Sequence, residues 1–477
     1  MELNKIFQLA LAASLPATTA FAGTDVTGPS SSQSPYVLPA KMPGVITVSL
    51  LTVGDAVNFK TDGVTPYRMV GIPDGLGAFD NGDGTFTVLM NQELGNTVGV
   101  IREHGLKGSF VSKWVFDKEN LTALRGEDLM KQSWAWTTNG YVPNTKAFSR
   151  FCSADLPALT AFYNPISGLG YNGRIFMDGE ENGAEGRAMG HLMDGNSYEL
   201  PAVGKMSFEN VVANYGTGDK TVVMGLDDSG GGQVYLYAGT KTSSPDPIVA
   251  AGLDNGSLYG IKVAGFPTEI AATGIPSGTA FTCFNLGDVT LKTGSQIDSQ
   301  SVANGVTGFN RPEDGCWDPS NPNDFYFVTT ASFTGNSRLW RLRFMDASNP
   351  ALGGTIDMLL DGTEGPKMMD NITVSKRGSV FIQEDVGGNS RLGKIWRYSI
   401  AKDTVEEVAA HDPSRFLAGG ANFLTEDEEA SAIIPMSEIL GEGWYLFTTQ
   451  AHGNVGDAEL VEGGQLQLLH FPPGREK

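Results

Sequence analysis

Acidic residues recur in this chain where a predicted β-hairpin returns to the end at which it began. In residues 208–228, an apolar run follows Glu209, a glycine-rich turn comes next, and a second apolar run ends at Asp227 and Asp228. An antiparallel hairpin places the start of its first strand beside the end of its second strand. Glu209 and the two aspartates are therefore predicted to lie at the same end of the hairpin.

The same layout occurs at other points along the chain. Asp74 precedes a turn, and the strand after that turn ends at Glu93. Asp370 begins a similar unit that ends near Asp385, and Glu313 begins another. If these hairpins surround one axis, their carboxylates converge on one face. Converging carboxylates repel each other, so they must be protonated, spread apart or bound to cations.

These hairpin units predict an all-β fold. Units begin near residues 70, 170, 209, 313, 370 and 440, which suggests about six copies of a three- or four-stranded antiparallel unit. Such a repeat in a long chain favours a β-propeller, here with six blades and long loops between the blades. An array of β-sandwiches is the rival architecture. Helical patterns are scarce, and only residues 126–132 and 402–410 suggest a turn or two of helix.

The N-terminal residues predict export. Residues 1–22 combine Lys5, an apolar run and the small residues Ala20 and Ala22, which is typical of a Sec-type signal peptide cleaved before Gly23. We expect residues 23–43 to form a flexible lead-in and residues 44–477 to form a single propeller domain. No other segment approaches about 18 unbroken apolar residues, so we expect no transmembrane segment. The expected location is periplasmic or extracellular.

The charge of the chain limits its partners. A formal net charge of −21 over 477 residues disfavours nucleic acid, whose phosphates would be repelled, and suits divalent cations. We expect a monomer. The cysteines are three, Cys152, Cys283 and Cys316, which is too few for a disulfide framework although one pair could form a bridge.

The acidic residues at hairpin ends are the first candidate site. Oxygen donors from several segments suit Ca²⁺, which takes six to eight oxygens. A single such residue is better explained by ordinary turn chemistry, but ten at the same phase of a repeat favour a metal site. The ten are Asp74, Glu93, Glu180, Glu181, Glu209, Asp227, Asp228, Glu313, Asp370 and Asp385.

Three further features have both a functional and an ordinary interpretation. A thiolate at Cys152 could bind a transition metal such as iron, although a buried apolar cysteine is the commoner case. Arg311 could hold a phosphate or carboxylate through two hydrogen bonds, or form a surface ion pair of little energetic value. The acidic run 426–429 is typical of a solvated loop. The sequence contains no G-x-S-x-G, H-E-x-x-H or P-loop motif, and its five histidines are scattered.

Seven short motifs, taken in order, resemble the PhoX-type alkaline phosphatases, a family of secreted bacterial β-propellers. The resemblance extends from about residue 79 to residue 469. Its motifs are MNQELG at 90–95, FCSADLP around Cys152, GEENG at 179–183, KMSFEN at 205–210, MGLDDSGGGQVYLY at 224–237, RPEDG at 311–315 and MDNI at 369–372.

The resemblance implies hydrolysis of phosphomonoesters by a mixed iron and calcium cluster. Arg311 would hold the phosphate of a small phosphorylated substrate. Gln92 stands where the family usually has His, and the signal lacks the family's usual twin arginine. The implied metal ligands are Glu93, Cys152, Glu180, Glu181, Glu209, Asp227, Asp228, Glu313 and Asp370.

Two other functions fit the same residues. One is a non-catalytic, calcium-stabilised propeller that acts as a binding module. The other is a calcium-dependent hydrolase of another ester class, such as a lactonase. Metal content and substrate turnover distinguish the three hypotheses.

Overall fold

The chain is folded almost entirely into β-strands, which confirms the predicted all-β class. The computed structural model describes residues 23–476. The strands, in chain order, are β1 (Thr24–Thr27), β2 (Val37–Pro39), β3 (Ile46–Thr52), β4 (Ala56–Phe59), β5 (Pro66–Arg68), β6 (Pro73–Asp80), β7 (Thr85–Gln92), β8 (Phe110–Asp117), β9 (Ala123–Asp128), β10 (Gln132–Thr137), β11 (Gly140–Pro143), β12 (Phe151–Asp155), β13 (Tyr163–Asn164), β14 (Leu169–Gly170), β15 (Ile175–Glu180), β16 (Ala188–Leu192), β17 (Asn196–Glu199), β18 (Phe208–Ala213), β19 (Lys220–Asp227), β20 (Gly230–Thr240), β21 (Ser257–Val263), β22 (Thr279–Gly287), β23 (Gly308–Asn310), β24 (Pro312–Asp318), β25 (Asn321–Thr329), β26 (Arg338–Phe344), β27 (Gly354–Leu360), β28 (Met369–Val374), β29 (Ser379–Glu384), β30 (Lys394–Ser399), β31 (Thr404–His411), β32 (Glu428–Pro435), β33 (Trp444–Ala451) and β34 (Gly463–His470).

The described helices are short. They are α1 (Pro247–Ala250), α2 (Gly294–Ala303) and α3 (Pro413–Phe416). Both segments expected to contain helical turns are extended instead: residues 126–128 end β9, and most of 402–410 lies in β31. The prediction of helix there was wrong, because pairing with neighbouring strands outweighs weak local helix preference.

Antiparallel hairpin units build the larger sheets. Four of these sheets have the strand orders β6-β7-β8-β9, β12-β15-β16-β17-β10-β11, β28-β29-β30-β31-β2 and β32-β33-β34-β3-β1. A longer sheet joins two hairpin units edge to edge, in the order β18-β19-β20-β21-β22-β27-β26-β25-β24. The cores lie between sheets, where alternating side chains such as Trp114 and Phe116 of β8 are buried while Val115 and Asp117 are partly exposed.

One strand from each hairpin unit contributes to a central ring. β6 contacts β12, β12 contacts β18, and the contacts continue through β24, β28 and β32 back to β6. This closed ring is the propeller arrangement that the sequence predicts. Because β22 pairs with β27 and merges two units into one sheet, the count of six blades stays a prediction.

The N-terminal segment closes the ring. Residues 23–43 were expected to be a flexible lead-in, but β1 pairs in parallel with β3, and β2 pairs with β31. β3 in turn pairs with β34, so strands from the two ends of the described chain share one sheet. Backbone pairing, together with buried Tyr36 and Val37, orders a segment whose composition suggests flexibility.

Three further expectations concern the signal peptide, membrane-spanning segments and the cysteines. The signal peptide predicted for residues 1–22 lies outside the described residues. Among residues 23–476, no helix has the length and apolar character needed to cross a membrane. The three cysteines are free thiols, so no bridge forms between Cys283 and Cys316.

Candidate metal centre

Five of the six central strands carry the same irregularity near their first residue. Each begins with one ladder pair, and then three residues of the central strand span two residues of its partner. This pattern is a β-bulge, which redirects the side chains of the bulged residues. The residues directly after the first pair are Asp74, Cys152, Glu209, Glu313 and Asp370. The repeated bulge therefore brings four carboxylates and one thiol to the same end of the central ring.

These side chains form three overlapping groups of potential metal ligands. Within each group, one ligand atom from each residue lies within 4.8 Å of the others. The groups share Cys152 and Glu209, so they make one continuous series of donors across the axis. The groups are Asp74–Glu93–Cys152, Cys152–Glu181–Glu209 and Glu209–Glu313–Asp370.

Burial makes this concentration of acid electrostatically unfavourable without a cation. Asp74, Glu209, Glu313 and Asp370 are each at most 9 % exposed. Burial, and then repulsion by neighbouring carboxylates, raises the pKa of each of these four groups well above its usual value. The pKa of Glu181 is raised to about 7, chiefly by burial.

The Cys152 thiol lies within the acidic series. Its Sγ is 3.2 Å from Glu181 Oε2. Burial, together with the nearby Glu93 and Glu181 carboxylates, raises the pKa of the thiol well above its usual value. A thiolate at this position therefore requires a strongly bound cation.

Two arginines lie at the edge of the acidic series. Arg150 precedes β12, and its guanidinium bonds to Glu93 (2.8 Å) and to Glu181. Arg311 precedes β24; its Nε and Nη2 each donate to Asp228 (2.8 Å), and Nη2 lies 3.0 Å from Glu313 Oε1. Both side chains remain partly exposed, at 50 % and 38 %.

Both arginines have left-handed backbone conformations, with φ of 52° at Arg150 and 61° at Arg311. Such values are uncommon outside glycine, and the strain persists only where the surrounding structure holds it. The conformation occurs at the residue where the chain enters a central strand. The left-handed residue and the bulge that follows it therefore together direct the bulged side chains toward the axis.

Three predicted ligands lie outside the three groups: Asp228, which bonds to Arg311, and Glu180 and Asp227. Glu180 pairs with Arg187 and accepts a hydrogen bond from Ser149 N (2.9 Å). Asp227 accepts from Ser207 N (3.2 Å). Both residues end the second strand of a hairpin and form a ladder pair with the first residue of a central strand, so they lie beside the site without joining these groups.

Sequence reasoning missed several residues at the same end of the ring. Gln450 Nε2 donates to Asp74 Oδ2 (3.1 Å) and Glu93 Oε2 (3.0 Å). Glu429 belongs to the acidic run expected to be a solvated loop. It lies instead in β32, and its backbone forms an isolated antiparallel β-bridge with the backbone of Asp385. Burial and then repulsion by Glu429 raise the pKa of Asp385 to about 7. The strand pattern E-E-A-S-A-I-I after Asp427 was the signal available for Glu429.

A layer of hydrogen-bonded polar side chains lies directly beneath the metal centre. Ser153 Oγ donates to Glu209 Oε1 (2.6 Å) and accepts from Asn371 Nδ2 (2.5 Å). Asn210 Nδ2 donates to Asp314 Oδ1 (2.5 Å). The second residues of four of the bulges are Ser153, Asn210, Asp314 and Asn371. The same bulge therefore positions both the potential metal ligands and the polar side chains that lie beneath them.

The donor set fits bound metal ions. Asp74 Oδ1 is buried without a hydrogen-bond partner among residues 23–476, which is costly unless a cation binds it. Carboxylate oxygens suit calcium, and a thiolate among them suits a transition metal. The carboxylate groups at this end of the ring could therefore hold metal.

No protein-family model matches the sequence, and no curated protein matches it. Among solved structures, Pseudomonas fluorescens PhoX in complex with vanadate, a transition state analogue, has a TM-score of 0.60. The two sequences are 11% identical, and the similarity covers 94% of this chain and 98% of the PhoX chain. At this identity the likeness shows a shared fold, and it supports the predicted resemblance at that level.

Other solved structures are more distant. A putative 6-phosphogluconolactonase from Bacteroides uniformis has a TM-score of 0.34 at 11% identity, covering 75% of this chain and 94% of that chain. The NanB sialidase from Streptococcus pneumoniae has a TM-score of 0.38 at 6% identity, covering 84% and 68%. These similarities are too weak to bear on function.

Proposed function

We propose that this protein is an exported, metal-dependent phosphoesterase that hydrolyses small phosphomonoesters at the axial acidic site. The observation that carries the proposal is the series of six acids and one thiol whose donor atoms lie close enough to share metal ions. The fold shared with PhoX supports the reaction class, because that structure contains vanadate, a transition state analogue. Such acids without bound cations would be strongly destabilising.

The residues of the series differ in the metal they favour. The Glu209–Glu313–Asp370 group offers oxygen donors alone, which suits calcium. The two groups that contain Cys152 add a thiolate, which suits iron. Metal ions bound there would supply Lewis-acid catalysis, polarising a phosphoryl oxygen and lowering the pKa of bound water.

Arg311 would bind and orient the phosphoryl group. Its Nε and Nη2 are fixed by Asp228, which leaves the N–H groups of Nη1 available to a ligand in the described structure. The hydrogen bonds with Asp228 also raise the pKa of Arg311, so the guanidinium stays charged. A guanidinium in a fixed orientation stabilises charge on a transferring phosphoryl group without reorganisation.

Arg150 would act on the opposite side of the series. Its bonds to Glu93 and Glu181 hold these two carboxylates in one orientation. It is therefore a positioning residue for the donors near Cys152, and the acids themselves would serve as ligands rather than as proton donors.

Elemental analysis of the purified protein, with phosphatase activity measured on the same sample, tests the proposal. We expect calcium and iron at a fixed ratio, hydrolysis of p-nitrophenyl phosphate, and loss of activity on chelation. Calcium without phosphatase activity would overturn the proposal. It would favour a binding module or, if lactones were turned over, a calcium-dependent lactonase.

A further inference from the structure

The end of the central channel opposite the metal centre contains a cavity. It has a volume of about 460 Å³, within the usual range of roughly 300–1,000 Å³ for small-molecule sites. Its walls are central-strand residues that follow the metal ligands along the chain, including Asp155 of β12 and Cys316 of β24. Its mouth is formed at the hairpin turns, where Asp80 and Lys376 lie.

The polar layer separates the cavity from the metal centre. Ser153, Asn210, Asp314 and Asn371 line the inner end of the cavity and hydrogen-bond to one another or to Glu209. A ligand in the cavity would therefore not contact the metal ligands directly. The two ends of the channel are chemically separate sites.

Two acids of this cavity have no basic partner in the described structure, but Asp314 is buried and accepts hydrogen bonds from Asn210, Gly315 N and Ile372 N, whereas Asp155 is partly exposed. Its carboxylate accepts one hydrogen bond, from Ala213 N (2.8 Å), and no described Lys, Arg or His forms an ion pair with it. Although it lies deep in the ring, it is partly exposed, because the cavity brings solvent to it. Burial raises the pKa of Asp155 to about 7, as expected for a carboxylate without a nearby cation.

The other polar groups of the inner cavity leave acceptors rather than donors. Asn210 Nδ2 donates to Asp314 Oδ1, and the indole N–H of Trp317 donates to Val212 O. The side-chain oxygen of Asn371, a residue without exposed surface, has no donor among the described residues. A ligand that matches this end must therefore supply hydrogen-bond donors.

Apolar and aromatic surface surrounds the acidic group. Leu76, Leu156 and Trp317 line the walls, and the Arg174 guanidinium lies 4.7 Å from the centre of the Phe79 ring. Of the charged residues at the mouth, Asp80 pairs with Lys118 and Lys376 with Glu438, and the same Glu438 carboxylate attracts Arg174 without a direct ion pair. Asp155 is therefore the partly exposed acid of this cavity that has no basic partner among the described residues.

We propose that this cavity is a second ligand site, which binds a small organic molecule carrying a protonated amine, with the ammonium on Asp155 and an apolar tail against the Leu76 and Trp317 walls. An ammonium supplies three donors and the missing positive charge. The proposal does not depend on phosphoesterase activity, because it concerns the other end of the channel.

Calorimetric titration of the whole protein in excess calcium tests this site. The excess calcium competes with an ammonium for the axial acids. The test compounds are 2-phenylethylamine, its uncharged analogue 2-phenylethanol and the anion 3-phenylpropionate. We expect saturable binding of the amine at least about tenfold tighter than the alcohol, and no binding of the anion.

Variants locate the binding. Asp155→Asn keeps the acceptor for Ala213 N and should weaken amine binding about tenfold or more without changing alcohol binding. Asp80→Asn at the mouth and Glu209→Gln at the metal centre should leave amine binding unchanged. Amine binding that is equal to alcohol binding, absent, or abolished by Glu209→Gln would overturn the proposal. If Asp155→Asn fails to fold, the preference of the wild type for amine over alcohol still decides.

Discussion

Two regions of this propeller bury acids in opposite ways. Within the blades, many deeply buried acids have a basic partner: Glu269 pairs with Arg338 at 2.5 Å, and Asp128 pairs with Arg102. Along the axis, the three groups around Cys152 and Glu209 contain six acids, and the basic residues that pair with any of them within residues 23–476 are Arg150 and Arg311. The protein neutralises its own charge in the blades but not at the axis.

The contrast distinguishes the blade acids, which are paired within the protein, from the axial acids, which are proposed to bind metal. A buried carboxylate is tolerated when a nearby cation offsets its loss of hydration. Where the protein has no basic side chain near the carboxylate, a metal ion or a proton from the solvent must offset that loss. The axial acids are therefore expected to respond to metal and pH, whereas the blade pairs are expected to respond to neither.

The largest expected effect is on the blade side of this comparison. Arg338→Met leaves Glu269 buried without a partner and should lower the free energy of unfolding by about 3–5 kcal/mol. Urea denaturation with and without calcium measures this loss, which should be the same in both. Lys376→Met, at an exposed pair with Glu438, is the control and should cost less than about 1 kcal/mol. A calcium-dependent loss in Arg338→Met would break the comparison.

At the axis, the largest effect should come from Glu209, which belongs to two of the three groups. Glu209→Gln should lower bound metal and reduce phosphatase kcat/KM about a hundredfold, or about 2.7 kcal/mol. Metal analysis and kinetics on one preparation measure both quantities.

Asp227→Asn is the matched control for Glu209→Gln, because Asp227 lies in the same hairpin but outside the three groups. It keeps the acceptor for Ser207 N, so metal content and activity should change less than threefold. An equal loss in both variants would mean that the ligand set extends to Asp227, as the family resemblance implies.

Removing metal should expose the electrostatic cost of the axial acids. The pKa values of Glu181 and Asp385 are raised to about 7, so the folded state binds protons that the unfolded state has released. Stability of the metal-free protein should therefore fall, by roughly 2 kcal/mol for each of these two groups, as the pH rises from 5 to 8. Added calcium should stabilise the protein more at pH 8 than at pH 5. Thermal melts across this pH range that show no such difference would contradict the assignment.

The smallest effect is expected at Arg311. Arg311→Lys keeps the charge but loses the two parallel bonds to Asp228, and should reduce kcat/KM about tenfold with metal content unchanged. Arg341→Lys, whose arginine pairs with Asp357 away from the axis, is the control. Loss of metal in Arg311→Lys would show that Arg311 supports the ligands instead of the substrate.

The structure brings together the acids whose sequence signal was periodic, and their role as ligands stays a prediction. Asp74, Glu209, Glu313 and Asp370 occupy equivalent positions of repeated hairpins, so hairpin geometry alone was enough to bring them together. Glu180 and Asp227 also lie at hairpin ends, but whether a side chain points toward the axis depends on the bulge. One extra residue in the central strand decides which side chain reaches the axis, and no composition signal marks that residue.

Other features had no repeated signal. Arg150 is a single residue whose role depends on a left-handed backbone conformation, and Gln450 reaches the axis only because β33 pairs with β32. The order of residues 23–43 depends on partners more than 350 residues away, such as His411 and Gln465. Local sequence cannot report such distant pairing.

The closing sheet makes assembly of this molecule a long-range event. β3 pairs with β34. The hydrogen bond from Gln450 in β33 to Asp74 in β6 likewise joins the C-terminal and N-terminal parts of the ring. Contacts of such high sequence separation form late and slowly in folding, because a large loop must close first. The blades can therefore form in succession, but the axial site is complete only after the two ends of the ring have met. Folding should accordingly show a slow final phase in which metal affinity appears together with closure.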